Sequence, residues 1–397
     1  MFLNFKITNY RSIGKEIIVD FGISASQKSS AFTEAKGITI NNIACIVGPN
    51  ASGKSNILKA IVLFIRYVYK SYSTPQFRDA NLFASHFCCG EAPTKFSTEF
   101  IDNERQYKYE ISILKGLVQE ESLRVRDETT KRYNSVFKRK SNEYIQNSIQ
   151  INAQDIGRLR DDMSLLSLMI ELNYFKSDEF LIFKRLLTNV KPEFIIGNWD
   201  PVQRLNEITQ VLEKDNLLLE ELIDELKNID TGISGLTLAK LRQTGVDGMS
   251  SNKEVSTIVA THEIDNKIHP LIVFEESGGT LHYIELFVRL YQILQGGGLL
   301  IADELEQSLH PDITSRIINR FLNKDKNPNN AQLLFTTHNP WFLQDLSKTQ
   351  IFISEKDENA ETELTRLDEI PGVRNDENYF MKYISGEYDG RPKIKEF

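Results

Sequence analysis

GPNASGKS, Gly48 to Ser55, sets two glycines around four intervening residues and follows the second with a lysine and a serine. A phosphate loop needs that spacing. The glycines let the backbone curl its N–H groups around an anion, Lys54 reaches the outer phosphates, and Ser55 offers a hydroxyl to Mg²⁺. The pattern assigns Gly48, Pro49, Asn50, Ala51, Ser52, Gly53, Lys54, Ser55 and Asn56 to nucleotide binding, against the blander reading of a glycine loop with a surface lysine. Triphosphate hydrolysis also requires one carboxylate for the metal and a second to activate water. GLLIADE supplies both, with Asp303 at the metal position and Glu304 where a general base belongs. QLLFTTHNP ends in the same way at Thr337 and His338, where an imidazole meets the outermost phosphate. In EESGGTLHYI, residues 275 to 284, Ser277 and Gly279 open a helical pattern. A bare helix N-terminus of small residues suits an anion, and a plain cap by Ser277 is the competing reading.

These residues serve only if the chain brings them together. NNIACIV is a continuous apolar run stopping at Gly48, as a buried strand does, and KSNILKAIVLFIRYVYK sets Ile57, Leu58, Ile61, Ile65 and Val68 on one helical face. GLLIA and QLLFTT are two further buried strands, each delivering polar groups at its end. FLNFKIT and KEIIVDFG alternate around NYRSIG as a strand pair, and residues 96–126 read as an antiparallel meander turning near DNE and KG. Glycine becomes sparse over residues 153–230, where Leu205, Ile208, Leu212, Leu219, Leu222, Leu226 and Ile229 recur at helical steps. The acidic run Glu220, Glu221, Asp224 and Glu225 is assigned to the solvated side of those helices. STIVATHE and HPLIVFEE return the chain to strand. The expected class is α/β, a mixed sheet plus a β meander. Residues 1–150 form the first half of the nucleotide domain, 151–232 a helical insertion, and 233–397 the second half.

Of the 397 residues, 41% are hydrophobic and 26% charged, ordinary proportions for a soluble globular protein, and the chain is long enough for more than one core. No run approaches the length of a membrane span, so the cytoplasm is the expected compartment and no membrane contact is expected. A net charge of −8 argues against a surface that coats nucleic acid throughout. The clusters LRVR and VFKRK are assigned to strand edges rather than to a nucleic-acid site. HFCC, residues 86 to 89, lacks the paired spacing of a zinc site and reads as a half-buried loop.

The split between the phosphate loop and the acidic strand, with Ser277 before Asp303 and His338 after it, resembles the ABC-type ATPases of the SMC and OLD kind. ESGGT looks like their short signature segment, FKITNYRSIG like their opening strand pair, and DELEQSLHP like their extended acidic motif, with Ser308 and His310 near the dimer contact. The tail YISGEYDGRPKI is similar to the Y-x-x-G-x-Y-G-x-x-P endings of stand-alone OLD-like AAA ATPases of bacterial defence operons, with Asp389 as an extra residue before Gly390. Neither Gln76 nor Gln119 matches the family's metal-contacting glutamine convincingly. The resemblance implies ATP and Mg²⁺ as ligands, and a head-to-tail homodimer or a larger assembly built from it. Each site then takes Lys54, Ser55, Asp303, Glu304 and His338 from one copy and Ser277 and Gly279 from the other. It further implies an anti-phage role beside a separate effector such as a nuclease, because the stretch after His338 is too short for a TOPRIM domain. Two other readings stand beside it: an ATP-stabilised scaffold with little turnover, and an SMC-like DNA repair ATPase, for which the helical insertion is short and without sustained heptads.

Overall fold

The computed structural model describes residues 1–23, 32–141, 143–147, 149–176, 179–188, 201–229, 231–244 and 250–391. A six-stranded sheet lies at its centre, in the order Leu186–Thr188, Leu299–Ala302, Gln332–Thr337, Ile43–Val47, Ile351–Lys356 and Thr362–Arg366. All neighbours are parallel except the last pair. Ile43–Val47, Leu299–Ala302 and Gln332–Thr337 are buried at every position. Helices cover both faces, so these strands read as unbroken apolar runs.

Alternation along the strands divides the interior in two. Ala44, Ile46, Leu299, Ile301 and Leu334 face one core, whereas Ile43, Cys45, Val47, Leu300, Leu333 and Phe335 face the other. The first core holds the helix Lys54–Lys70 and a seven-stranded antiparallel sheet that carries the opening strand pair and the meander. The meander turns fall at Asn103–Glu104 and Lys115–Gly116, all with positive φ, as two-residue hairpin turns of matching twist require. The second core packs the helices Pro201–Lys214, Asn216–Asn228, Gly278–Gly296 and Pro311–Leu322.

Three expectations need correction. The stretch from 151 to 232 is not wholly helical, since Leu186–Thr188 pairs in parallel with Leu299–Ala302. Its two long helices break at Asp215, whose carboxylate accepts from Leu218 N–H at 3.0 Å. That break rotates the second helix so that Leu218 is fully buried and Leu219 only partly so. Second, Glu225 is not solvated as its neighbours are: it is 4% exposed. Glu221 and Glu225, one turn apart, project to the same side of the helix. Only Glu225 is covered, by Tyr283, Arg316 and Arg320, and a covered carboxylate stays charged only where cations meet it. Third, LRVR and VFKRK lie on interior strands of the seven-stranded sheet, and Arg139 is fully buried. Its guanidinium donates to Met163 O, Arg160 O and Ser141 O and pairs with buried Glu121. Glu121 in turn accepts the N–H groups of Leu165 and Leu166 at the start of the helix Leu165–Glu171. Arg139 and Glu121 are internal scaffolding, whereas Arg124, Lys138 and Lys140 of the same two clusters keep their side chains at the surface.

His86 is buried, Cys88 exposed and Cys89 half-buried. No group of His, Cys, Asp or Glu among the described residues is arranged to hold a metal ion by itself. No described helix is long and apolar enough to cross a membrane.

Candidate nucleotide site

Parallel strands in register deliver their carboxyl ends to one edge of the sheet, where open α/β sheets place their ligands. Val47 lies beside Thr337 and Ile353, and Ala302 beside Phe335. The residues that follow, Gly48, Asp303 and His338, therefore emerge along one rim. Gly53 has φ 108°, and a Cβ there would collide with the Thr362 side chain. Only glycine lets the loop pass this close to the terminal hairpin. The hairpin also holds the loop from behind: Thr362 Oγ1 and Ser354 Oγ both donate to Ser52 O. Ser12 Oγ bonds Thr362 and accepts from Asn56 Nδ2 at 2.8 Å. The opening strand pair, the phosphate loop and the hairpin are thus joined by short polar contacts.

Ser55 Oγ donates to Asp303 Oδ1 at 3.1 Å, and Thr336 Oγ1 donates to the same oxygen at 2.7 Å. A hydroxyl beside a carboxylate is a hard oxygen set that suits Mg²⁺. Ser52 Oγ, in the loop itself, is buried with no hydrogen-bond partner among the described residues. Both observations fit a metal-bound phosphate ligand.

Lys54 is 5% exposed and donates to Gly48 O at 2.8 Å and Pro49 O at 2.9 Å. Burial draws its ammonium down to about 8, a shift that the nearby Asp303, Glu304 and Glu306 carboxylates only partly offset. Its Nζ lies 3.4 Å from His338 Nδ1, and His338 Nε2 lies 3.3 Å from Glu304 Oε1. An ammonium can only donate, so Nδ1 accepts and the ring proton sits on Nε2, directed at Glu304. Glu304 holds φ 50°, a left-handed backbone that is uncommon outside glycine. Its N–H donates to Thr336 Oγ1 at 2.8 Å, which pins that conformation and aims the carboxylate at the histidine. Strain of this kind persists only where neighbours over-determine it.

Sequence reasoning passed over Thr336, which bridges Asp303 and Glu304, and Glu306, whose Oε1 accepts His338 N–H at 2.7 Å. A hydroxyl two positions before the histidine and a second carboxylate two beyond Glu304 were visible signals. Gln76 is exposed on a short turn, and Gln119 bonds its own strand at Leu117 O. Neither has a hydrogen bond to the phosphate loop among the described residues.

Ser277 and Gly279 stand apart from this cluster. Ser277 Oγ accepts Thr280 N–H at 3.1 Å, capping the helix Gly278–Gly296. A Cβ on Gly279 would lie 2.6 Å from Ser308 O, so the start of this helix packs directly on the turn after the acidic strand. Glu276, just before the cap, is gripped by His262 at 2.7 Å. His310 caps the helix Pro311–Leu322, with its Nδ1 accepting Asp312 N–H at 3.3 Å.

Glu225 ties these pieces together. Its carboxylate accepts from Tyr283 Oη at 2.7 Å, from Arg316 Nε at 2.6 Å and Nη2 at 2.9 Å, and from Arg320 Nη2 at 2.7 Å. Burial alone pushes that carboxyl upward, but the Arg316 and Tyr283 hydrogen bonds and the two guanidinium charges outweigh it and hold it below the usual range.

A family profile described as "AAA domain, putative AbiEii toxin, Type IV TA system" matches residues 43–343. Among solved structures, the SMC head domain from Thermotoga maritima is similar at 13% identity and TM-score 0.41, over 92% of this chain and 98% of that one. The Smc head domain from Pyrococcus furiosus, with an extended coiled coil and bound to the C-terminal domain of ScpA, is similar at 13% identity and TM-score 0.44, over 92% and 95%. No curated protein matches the sequence.

Proposed function

This chain belongs to that AAA domain family, whose profile spans most of it, and on that premise we propose that it binds and hydrolyses ATP at a site completed by a second copy of itself. One observation carries the reading. Lys54, Ser55, Asp303, Glu304 and His338 converge at the rim of the central sheet, while Ser277 and Gly279 sit at another helix start with no hydrogen bond to the phosphate loop among the described residues.

Lys54 and the loop N–H groups bind and orient the β- and γ-phosphates, and Ser55 and Asp303 would hold Mg²⁺, which would supply neutralisation of phosphate charge when bound. Glu304 takes the proton of the attacking water at its carboxylate. His338 Nε2–H orients that carboxylate and lies within reach of the outer phosphate. The helix starting at Gly278 in a second copy presents its N–H groups and positive dipole end to the γ-phosphate, which spreads charge as the bond to it breaks. After hydrolysis nothing holds the two faces together, and the dimer loosens.

The family description, "AAA domain, putative AbiEii toxin, Type IV TA system", favours a role beside a separately encoded partner, and an anti-phage function fits such an arrangement. Glu304→Gln tests the reading. With Mg²⁺ and ATP the variant is expected to accumulate as a dimer by light scattering, with turnover lost. A variant that turns over ATP like the parent, or stays monomeric with ATP bound, contradicts it.

A further inference from the structure

The terminal segment returns to the nucleotide site. Tyr383, on the short helix Tyr379–Ser385, is buried and donates its hydroxyl to Gly390 O at 2.6 Å. Asp389 and Gly390 have φ 60° and 70°, and a Cβ on Gly390 would lie 2.5 Å from Ile353, a residue paired with Val47 at the entry to the phosphate loop. Two successive left-handed residues reverse the chain, and the absence of a side chain at 390 lets the reversal lie flat on the central sheet. The residue delivered next is Arg391. A cavity of about 630 Å³ is lined jointly by Pro49, Asn50, Ala51, His338, Tyr383 and Arg391.

The charges around that cavity differ in their freedom. Lys54, off the cavity wall, is committed to the loop carbonyls and His338, and Lys356, on the wall, donates to Ala360 O in its own hairpin turn. Glu355 is held on the same wall by Gly390 N–H at 3.4 Å. Arg391 is exposed and has no carboxylate within ion-pair distance among the described residues. A guanidinium left uncommitted beside a phosphate loop suits fork-like contact with phosphate oxygens.

We propose that Arg391 is a phosphate-contacting residue that reads the outermost phosphate of the nucleotide held by its own chain, from the His338 side of the loop. The proposal rests on the nucleotide reading above and adds a cation to the site from the end of the fold. ATP is then distinguished from ADP within a single copy, before any dimer forms. It also explains why the turn at Asp389–Gly390 is pinned so tightly: the pinning places one side chain.

Calorimetric titration of monomeric protein with Mg·ATP and with Mg·ADP tests this. Arg391→Ala is expected to weaken ATP binding roughly tenfold while changing ADP binding less than about twofold, with Arg391→Lys between the two. Retained ADP binding shows that the variant is folded. ATP binding unchanged in Arg391→Ala overturns the proposal, as does an equal loss for both nucleotides, and either leaves the nucleotide reading intact. Failure of the parent protein to bind ATP overturns both.

Discussion

Replacing Glu225 by alanine removes the acceptor of four hydrogen bonds from three side chains on two other helices. Removing one partner of a buried ion pair costs about 3–5 kcal/mol, because the remaining charge is left desolvated. Arg316, with 43% of its side chain exposed, can turn to water and recovers part of this, whereas Arg320 at 16% and the buried Tyr283 hydroxyl cannot. A stranded buried hydroxyl adds about 1–3 kcal/mol. The expected net loss is about 3 kcal/mol, or a fall in melting temperature on the order of 5 °C by calorimetry for a chain of this size. Glu221→Ala, one turn away and exposed, should stay within about 0.5 kcal/mol of the parent. The double substitution Glu225→Ala with Arg320→Ala should cost less than the sum of its parts by about 1 kcal/mol or more, since the second change removes the stranded charge. A Glu225→Ala protein as stable as Glu221→Ala would refute the idea that this carboxylate clamps the helices together. So would strict additivity with Arg320→Ala.

The same residue sets a pH dependence. Its folded carboxyl is held below the ordinary value of 4.5, so its contribution is complete above that value and is lost only as pH falls through the lower, folded value. The stability gap between the parent and Glu225→Gln should therefore be equal at pH 7 and pH 5.5 in denaturation curves, and close only below about pH 4.5. Gly53→Ala forces a Cβ into Thr362 at φ 108°; nucleotide titrations should show binding lost, with a stability cost of about 1–3 kcal/mol, and binding near the parent's would mean the loop is not held as described.

Much of the site was legible because its chemistry is local. A phosphate loop needs its glycines, lysine and serine within a few positions, and buried parallel strands announce themselves as unbroken apolar runs, which is why Gly48, Asp303 and His338 were found together at one rim. The meander turns were legible for a similar reason: Asn103 and Gly116 are residues that tolerate the positive φ of two-residue hairpin turns, and they carry Glu104 and Lys115 into it beside them. Contacts set by packing were hidden. Glu225 and Glu221 sit in one acidic run, and nothing local says that one faces Arg316 and Arg320, ninety-odd residues onward, while the other faces water. Arg139 was misplaced on the same ground, because a basic cluster on a strand looks alike whether its neighbour is solvent or Glu121. Leu186–Thr188 was missed because three residues are too few to show a period.

The central claim is that each site is built from two copies, and mixing two inactive variants tests it most directly. Lys54→Ala disables the phosphate loop and Ser277→Arg blocks the facing helix start, so each alone should be inactive in an ATPase assay. In a 1:1 mixture half the dimers carry both changes, which leaves one intact site in each and about a quarter of the parent's activity. A mixture no more active than either variant alone, in protein shown by scattering to dimerise, would contradict the account.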